Sequence, residues 1–429
     1  MSIPLDRLYN FLDSLCDHDV LIYRFSPHGS KKLEDLTPLY NHKKDWYYNM
    51  TTPTMICHDQ EPLQFDLYNQ TAIDTICDSM VGFPASTELR KSMNLRGLIF
   101  YHFNAYDYVL LCHSEQNSPE LEKYTNNGFM GVYWWSHGII ARDWFRYAKQ
   151  DPDLVYCTDQ ITHDFLIYNR AWSGTREYRL KFAEQLVNAN LYKHCNTKFS
   201  TIDSQAHYTD HQWVNNKFKI ERTDLEQYFP NNTVDSTASA NYDAVDYQTS
   251  GIEVVLETLF DDQRWHLTEK SLRPIACGKP FVLMATAGSL QYLRQYGFQT
   301  FNGLIDETYD TVQDPADRLQ AVIAEMKRIS DLPTQQKHAL WTELNKIARY
   351  NQELFFSDAW QHQLIQEFVD NANQALEFIS RHRTAQHWKN LISTVTEPLA
   401  QNCRSTQDVD NLLKWLNSQV PVKKIKYQP

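Results

Sequence analysis

The sequence predicts an α/β protein built from two parallel-sheet domains with a helical C-terminal region wrapped on them. Three observations carry that reading. Short β-branched runs alternate with helical and polar stretches through residues 1–330, the pattern of helices layered on a parallel sheet. The stretch 251–284, GIEVVLETLFDDQRWHLTEKSLRPIACGKPFVLM, reads as a single strand, loop, helix and strand. Beyond it helical periodicity takes over. A length of 429 residues fits two to three domains. The expected division is 1–155, then 156–330 with an irregular insertion at about 200–250, then 331–429.

Taken in order, strands are expected at 20–25, 54–57, 98–103, 108–112 and 131–135, with helices at 87–94 and 138–148. A second set begins with a strand at 165–168. Residues 176–190 place Tyr178, Phe182, Leu186 and Val187 on one helical face, so this helix packs on the sheet. From about 200 to 250 the chain is polar and irregular, either a functional lid or an insertion. Ile252, Val254, Val255 and Leu256 then suit a buried parallel strand. Thr268 caps a helix that Gly278 ends, ahead of a strand at 281–283. A short helix at 289–296 stops at Gly297, and helices follow at 314–330, 334–354, 358–381 and 405–418. Their Trp341, Trp360, Trp388 and Trp415 mark this region as packed on the sheets.

Composition narrows the function classes. Charged residues are 22% and hydrophobic ones 42%, neither a disordered nor a membrane composition. No apolar run is long enough to span a bilayer, and the first residues lack the regions of a signal peptide, so a cytoplasmic location without membrane attachment is expected. The 8 cysteines are scattered, with no CxxC pair. Cys57 and Cys112 lie in apolar runs, where a buried reduced thiol is the expected state. A net charge of −12 argues against a broad duplex-binding face, although a local basic groove is compatible with it.

Three segments carry candidate chemistry. The first is 57–63, Cys-His-Asp-Gln-Glu-Pro-Leu, directly after a strand, where open α/β sheets collect ligands. Pro62 stiffens the turn, and Glu61 is a candidate general base, with His58 and Asp59 as competitors; a solvated polar turn is the plain alternative. The second is 169–179, which follows a strand and opens a helix. Its Arg176 and Arg179 suit planar contacts to phosphate oxygens, or else are helix charges paired with Glu177 or Glu184. The third is 133–138, where one of Trp134 and Trp135 is expected in the core and the other in a cleft, and where His137 is a lone histidine beside a turn. In the 251–284 unit, Lys270 stands at a helix start, while Glu257 and Glu269 can accept bonds from sugar or ribose hydroxyls. Thr-Glu-Lys there is equally ordinary capping chemistry. No zinc motif, Walker lysine loop or GxGxxG is present. Short DxD patterns occur at 17–19, 151–153 and 408–410, the first ahead of its strand rather than after it, and none is read as a metal site.

With these segments laid out, the chain resembles the α1,3-fucosyltransferase-type glycosyltransferases of the two-Rossmann-domain (GT-B) class, in a divergent form of the kind bacteriophages encode. Glu257-Thr258 followed by His266-Leu267-Thr268-Glu269-Lys270 is similar to that family's Glu-Asn, then Tyr-(Val or Ile)-Thr-Glu-Lys, donor motif. Asn169 with Arg176 seven positions on resembles its Ser-Asn…Arg diphosphate segment, and the loop from Gln60 to Leu67 resembles the one that carries its general base, which falls on Glu61. The chain departs from the family at Thr258, in place of Asn, at Pro274 inside the helix, and beyond Met284.

The resemblance implies a GT-B-like fold and an inverting, metal-independent transfer from a GDP- or UDP-sugar co-substrate, with no resident cofactor. Asn169, Arg176, Arg179, Glu257, Thr258, Thr268, Glu269 and Lys270 would bind the donor, and Glu61, with His58 nearby, would activate the acceptor across a cleft. Trp134, Trp135 and His137 are the acceptor or stacking candidates. A glycan, a protein or a hydroxymethylated base in DNA are the acceptors in view. The rival from another class is a non-catalytic binding or assembly protein on the same scaffold.

Overall fold

A computed structural model describes residues 5–16, 20–25, 37–38, 54–58, 61–64, 109–126, 130–155, 157–229, 241–382 and 424–428. The strand expected at 98–103 and the helices expected at 87–94 and 405–418 lie outside the described residues. Two compact units divide the chain. The central unit holds 115–117 and 137–363, and the amino-terminal unit holds 5–114, 118–136 and the chain from 364 on. The main divisions between these two units fall at 136/137 and 363/364. The helices after 330 are shared between the two units instead of forming a region of their own.

In the amino-terminal unit, helix α1 (Leu5–Leu15) buries Leu8 and Leu12, one helical turn apart. Strands β1 (Leu21–Phe25), β2 (Thr37–Pro38), β3 (Thr54–His58), β4 (Val109–His113) and β5 (Met130–Tyr133) form a sheet in the order β2-β1-β3-β4-β5, with helix α2 (Pro119–Asn126) before β5. All pairs are parallel except the two-residue β2, which holds Pro38 at the edge, where a missing donor is tolerated. Met55, Ile56, Leu110 and Leu111 are buried in the central strands, as their unbroken apolar runs require, and Cys57 and Cys112 are buried thiols among them. Strand β5 stops at Tyr133, not 135. The Trp134 amide still donates to the His113 carbonyl, but the Ser136 amide turns back onto the Trp134 carbonyl and starts helix α3 (Ser136–Trp144).

The central unit carries β6 (His163–Asn169), α4 (Tyr178–Asn188), β7 (Cys195–Phe199), the small hairpin of β8 (Ile202–Asp203) and β9 (Ala206–His207), α5 (Ala244–Thr249), β10 (Ser250–Leu256), α6 (Glu269–Ala276), β11 (Phe281–Met284), α7 (Ser289–Gln295), α8 (Pro315–Ser330) and α9 (Thr334–Phe355). Helix α10 (Asp358–His382) starts in this unit and continues into the other. Tyr178, Phe182, Leu186 and Val187 all face the core, as their spacing predicts. Strand β7 has no counterpart in the expected set. Its CNTKF sequence carries three polar side chains and only alternating burial, a weak signal at a sheet edge.

Sheet order positions the site. The four strands run β11-β10-β6-β7, all parallel, with Phe165 opposite both Cys195 and Ile252. Numbered by sequence within the sheet, this is the order 2-1-3-4 of a doubly wound Rossmann-like fold, and the winding reverses between β6 and β10. The segment 200–229 is also built into this unit. Phe218, Leu225 and Phe229 are buried. The carboxylate of Glu177 accepts the Val214 and Asn215 amides, and that of Glu184 accepts those of Glu221 and Arg222. Among the described residues no helix is long and apolar enough to cross a membrane.

Candidate functional site

Strands β6 and β10 end side by side at the reversal point, and the residues that leave them are those the sequence singles out. Asn169, the last residue of β6, is buried. Its amide donates to the Arg179 carbonyl at 3.0 Å, while its Oδ1 has no hydrogen-bond partner. Glu257 follows β10 and is 0% exposed. Its carboxylate accepts five hydrogen bonds: from the amides of Thr258, Thr268 and Ser271 and from the hydroxyls of Thr268 and Ser271. Glu257 therefore sits where an anion would dock on the start of α6, and the positive end of that helix is answered from inside the protein.

Thr268 is the N-cap of α6, and its Oγ1 accepts from the Lys270 amide. The Lys270 ammonium lies 3.2 Å from the same Oγ1 and 2.9 Å from Glu269 Oε1, with its side chain 22% exposed. Burial pushes the Glu269 carboxyl up, but the charges of Lys270 and His137 and the Lys270 hydrogen bond outweigh it and hold it down to about 2. Glu269 is thus ionised at neutral pH. Pro274 withholds a donor from the last turn of α6, and the helix closes two residues later. There Gly278, at φ +63°, lets its own amide reach Ile275 and that of Lys279 reach Pro274.

The two arginines separate in role. Arg179 is 3% exposed, and its guanidinium donates to the carbonyls of Ala171, Leu256 and Glu257. It cross-braces the exits of β6 and β10 and is buried, not the exposed helix charge that the alternative reading expects. Arg176 is half-buried, in the turn Gly174–Arg176 ahead of α4, with Nε donating to the Ser173 carbonyl. Asp203 accepts the Trp172 and Ser173 amides beside it. Burial raises the Asp203 carboxyl, but these amide bonds and the Arg176 charge bring it below its ordinary range. Thr258 presents its carbonyl to the Thr175 hydroxyl at 3.0 Å, so the two segments touch directly.

The first residue of the motif, His266, belongs to this site although no role attaches to it from sequence. It is buried with both ring nitrogens unpartnered, and its ring meets that of His137 edge-on at 5.1 Å. Burial, then the charges of His137, Arg264 and Lys270, keep this imidazole well below its ordinary pKa. His137, expected beside an acceptor, is in the central unit and faces the donor-type motif instead. The available signal was the place of His266 as the opening residue of the His-Leu-Thr-Glu-Lys run.

Glu61, His58, Trp134 and Trp135 belong to the amino-terminal unit. His58 is the last residue of β3 and is buried; Glu61 is half-buried, ahead of buried Pro62 and Leu63. Both tryptophans are core residues, which differs from the one-core, one-cleft expectation. Trp134 packs on Phe368 with centroids 5.2 Å apart, and the Trp135 amide donates to Glu367. Among the described residues no group of three or more His, Cys, Asp or Glu side chains is arranged to hold a metal ion. No family model matches the chain, and no curated protein or solved structure matches it either.

Proposed function

We propose that this protein is a nucleotide-sugar-dependent glycosyltransferase of the GT-B class, inverting and metal-independent, whose donor lies at the carboxyl edge of the central sheet. The observation that carries the reading is the convergence of 169–179 and 257–270 on the β6/β10 reversal point, where ligands collect in open α/β sheets. Loss of a nucleoside diphosphate leaves negative charge that must be stabilised, and Lys270 and Arg176 are the half-buried cations at that edge. Ionised Glu269 accepts hydroxyls of the ribose or sugar. Glu257 and Arg179 take scaffold roles: they set the start of α6 and the spacing of the strand exits. By the resemblance, Glu61 is the general base that takes the proton of the acceptor hydroxyl. The acceptor is a glycan, a protein or a hydroxymethylated DNA base. Buried thiols such as Cys112 suit a reducing, cytoplasmic setting.

The test is a thermal-shift screen against UDP, GDP, CMP and their sugars. A ligand at a hundred times its Kd stabilises the folded state by about 2.7 kcal/mol. The expected result is a shift with one nucleotide class that Lys270→Ala and Arg176→Ala abolish. A second reading, a non-catalytic binding protein on the same scaffold, is favoured by the inward-facing Glu257 and Arg179. Glu61→Gln separates the two: an enzyme loses turnover and keeps donor binding, whereas a binding protein changes little.

A further inference from the structure

Trp265 is held in a way that packing alone does not require. Its amide and carbonyl both bond to Gln116, each at 3.0 Å, in an isolated antiparallel bridge. Its indole N–H donates to the Ala287 carbonyl at 2.9 Å, in the turn that leaves β11. Its ring lies over Gly288, where an added Cβ would come within 3.0, 3.1 and 3.3 Å of three ring atoms, and where φ is +85°. Backbone, indole nitrogen and ring face are thus each fixed, yet the residue is only half-buried. The fully buried Trp172 and Trp360 are core; Trp265, its ring also meeting Tyr292 with centroids 6.2 Å apart, is held yet only half-buried, so a planar partner would add apolar burial.

Two further observations point the same way. Trp265 immediately precedes the 266–270 motif, and the turn it rests on leaves β11, the neighbour of β10. The exits of β11 and β6 are two strand spacings apart, about 10 Å, the scale of a nucleoside diphosphate laid along the sheet edge. Next to Ala287, in the same turn, Thr286 is buried with its Oγ1 lacking any hydrogen-bond partner, an unsatisfied polar atom. We infer that Trp265, seated on Gly288 with Thr286 alongside, is a stacking platform for the nucleobase of the donor. The inference rests on the proposed nucleotide-sugar reading and adds to it where the base lies. Stacking is tolerant of base identity because every base presents a π-face, so the choice among bases falls to Thr286 and its neighbours.

The experiment compares wild type, Trp265→Phe and Trp265→Leu by calorimetric titration with UDP and GDP, and with inorganic pyrophosphate as a base-free probe. Wild type binds one of the nucleotides; Trp265→Leu binds it about tenfold or more weakly, Trp265→Phe stays within about threefold, and pyrophosphate binds all three alike. A second measurement needs no destabilising change: the bound nucleotide quenches wild-type tryptophan fluorescence, and the quenching disappears in Trp265→Phe although binding persists. Nucleotide binding that is equal in the Leu variant, or quenching that survives in the Phe variant, overturns the platform and leaves the nucleotide site standing. Wild-type binding of pyrophosphate but of neither nucleotide also overturns it. No binding of any probe by wild type overturns the nucleotide-sugar reading itself, and the platform with it.

Discussion

Replacing Glu257 tests whether the start of α6 is held from within. In the native protein one buried carboxylate satisfies two backbone amides and two hydroxyls at that helix start, as well as the amide of its neighbour Thr258. Hydrogen bonds to a charged group contribute ~1.5–3 kcal/mol each, but bonds that share one acceptor are not additive. Removing one partner of a buried charged cluster costs ~3–5 kcal/mol, which is the better guide for Glu257→Ala. A unit of this size loses about 2–4 °C of melting temperature per kcal/mol, so the midpoint should fall by about 6–20 °C. Glu257→Gln keeps the shape but turns an NH₂ group toward donors, and should lose about half as much. Scanning calorimetry without ligand is the assay, because it can resolve the central unit from the other. A Gln variant that melts within about 1 °C of wild type refutes the capping argument. It would return Glu257 to the set of groups available for a sugar.

Three other expectations follow from the same packing. The depressed pKa of buried His266 means that its contribution to stability is fully present above about pH 6.5 and is lost as pH falls below that, at up to ~1.4 kcal/mol per pH unit. His266→Phe should flatten that part of the urea-midpoint profile, and an unchanged slope would rule out His266 as its source. Gly251→Ala sets a Cβ 2.5 Å from the indole nitrogen of Trp341, a rigid neighbour, and should destabilise by ~1–3 kcal/mol in urea titrations; a neutral result would mean that α9 does not pack on β10 this closely. Glu177→Gln loosens the grip on His211, Val214 and Asn215, so limited proteolysis should cut within 208–219 faster than in wild type, and equal rates would contradict that anchoring.

Periodicity made the central sheet legible. The apolar residues Ile252, Val254, Val255 and Leu256, the run 281–283 and the Thr268 cap each specify an element through local chemistry, and each forms as expected. Strand β7 did not show itself, because five residues with alternating burial and three polar side chains look like a loop. The site was legible in its residues and less so in their directions. Sequence brings Glu257, Arg179 and Lys270 to one sheet edge, but which of them faces inward depends on partners supplied by residues as distant as Ala171 and Ser271. The same limit applies to Trp134 and Trp135. Their shared burial depends in part on Phe368 and Glu367, more than two hundred residues further along the chain.

That last contact fixes an order of events during synthesis. The amino-terminal sheet is made early, yet Tyr133, Trp134 and Trp135 wait for partners on α10: Asn371 donates to the Tyr133 carbonyl, Phe368 covers Trp134, and Glu367 receives the Trp135 amide. Residues 137–363 emerge in between and include the whole four-stranded sheet. The second sheet to leave the ribosome can therefore be the first to mature, while the first keeps the Trp134 indole and the Trp135 amide without their α10 partners until the chain has reached 371. A nascent chain arrested before that point should carry a finished central unit and an unfinished amino-terminal one, and chaperones would find their hydrophobic target at the older end.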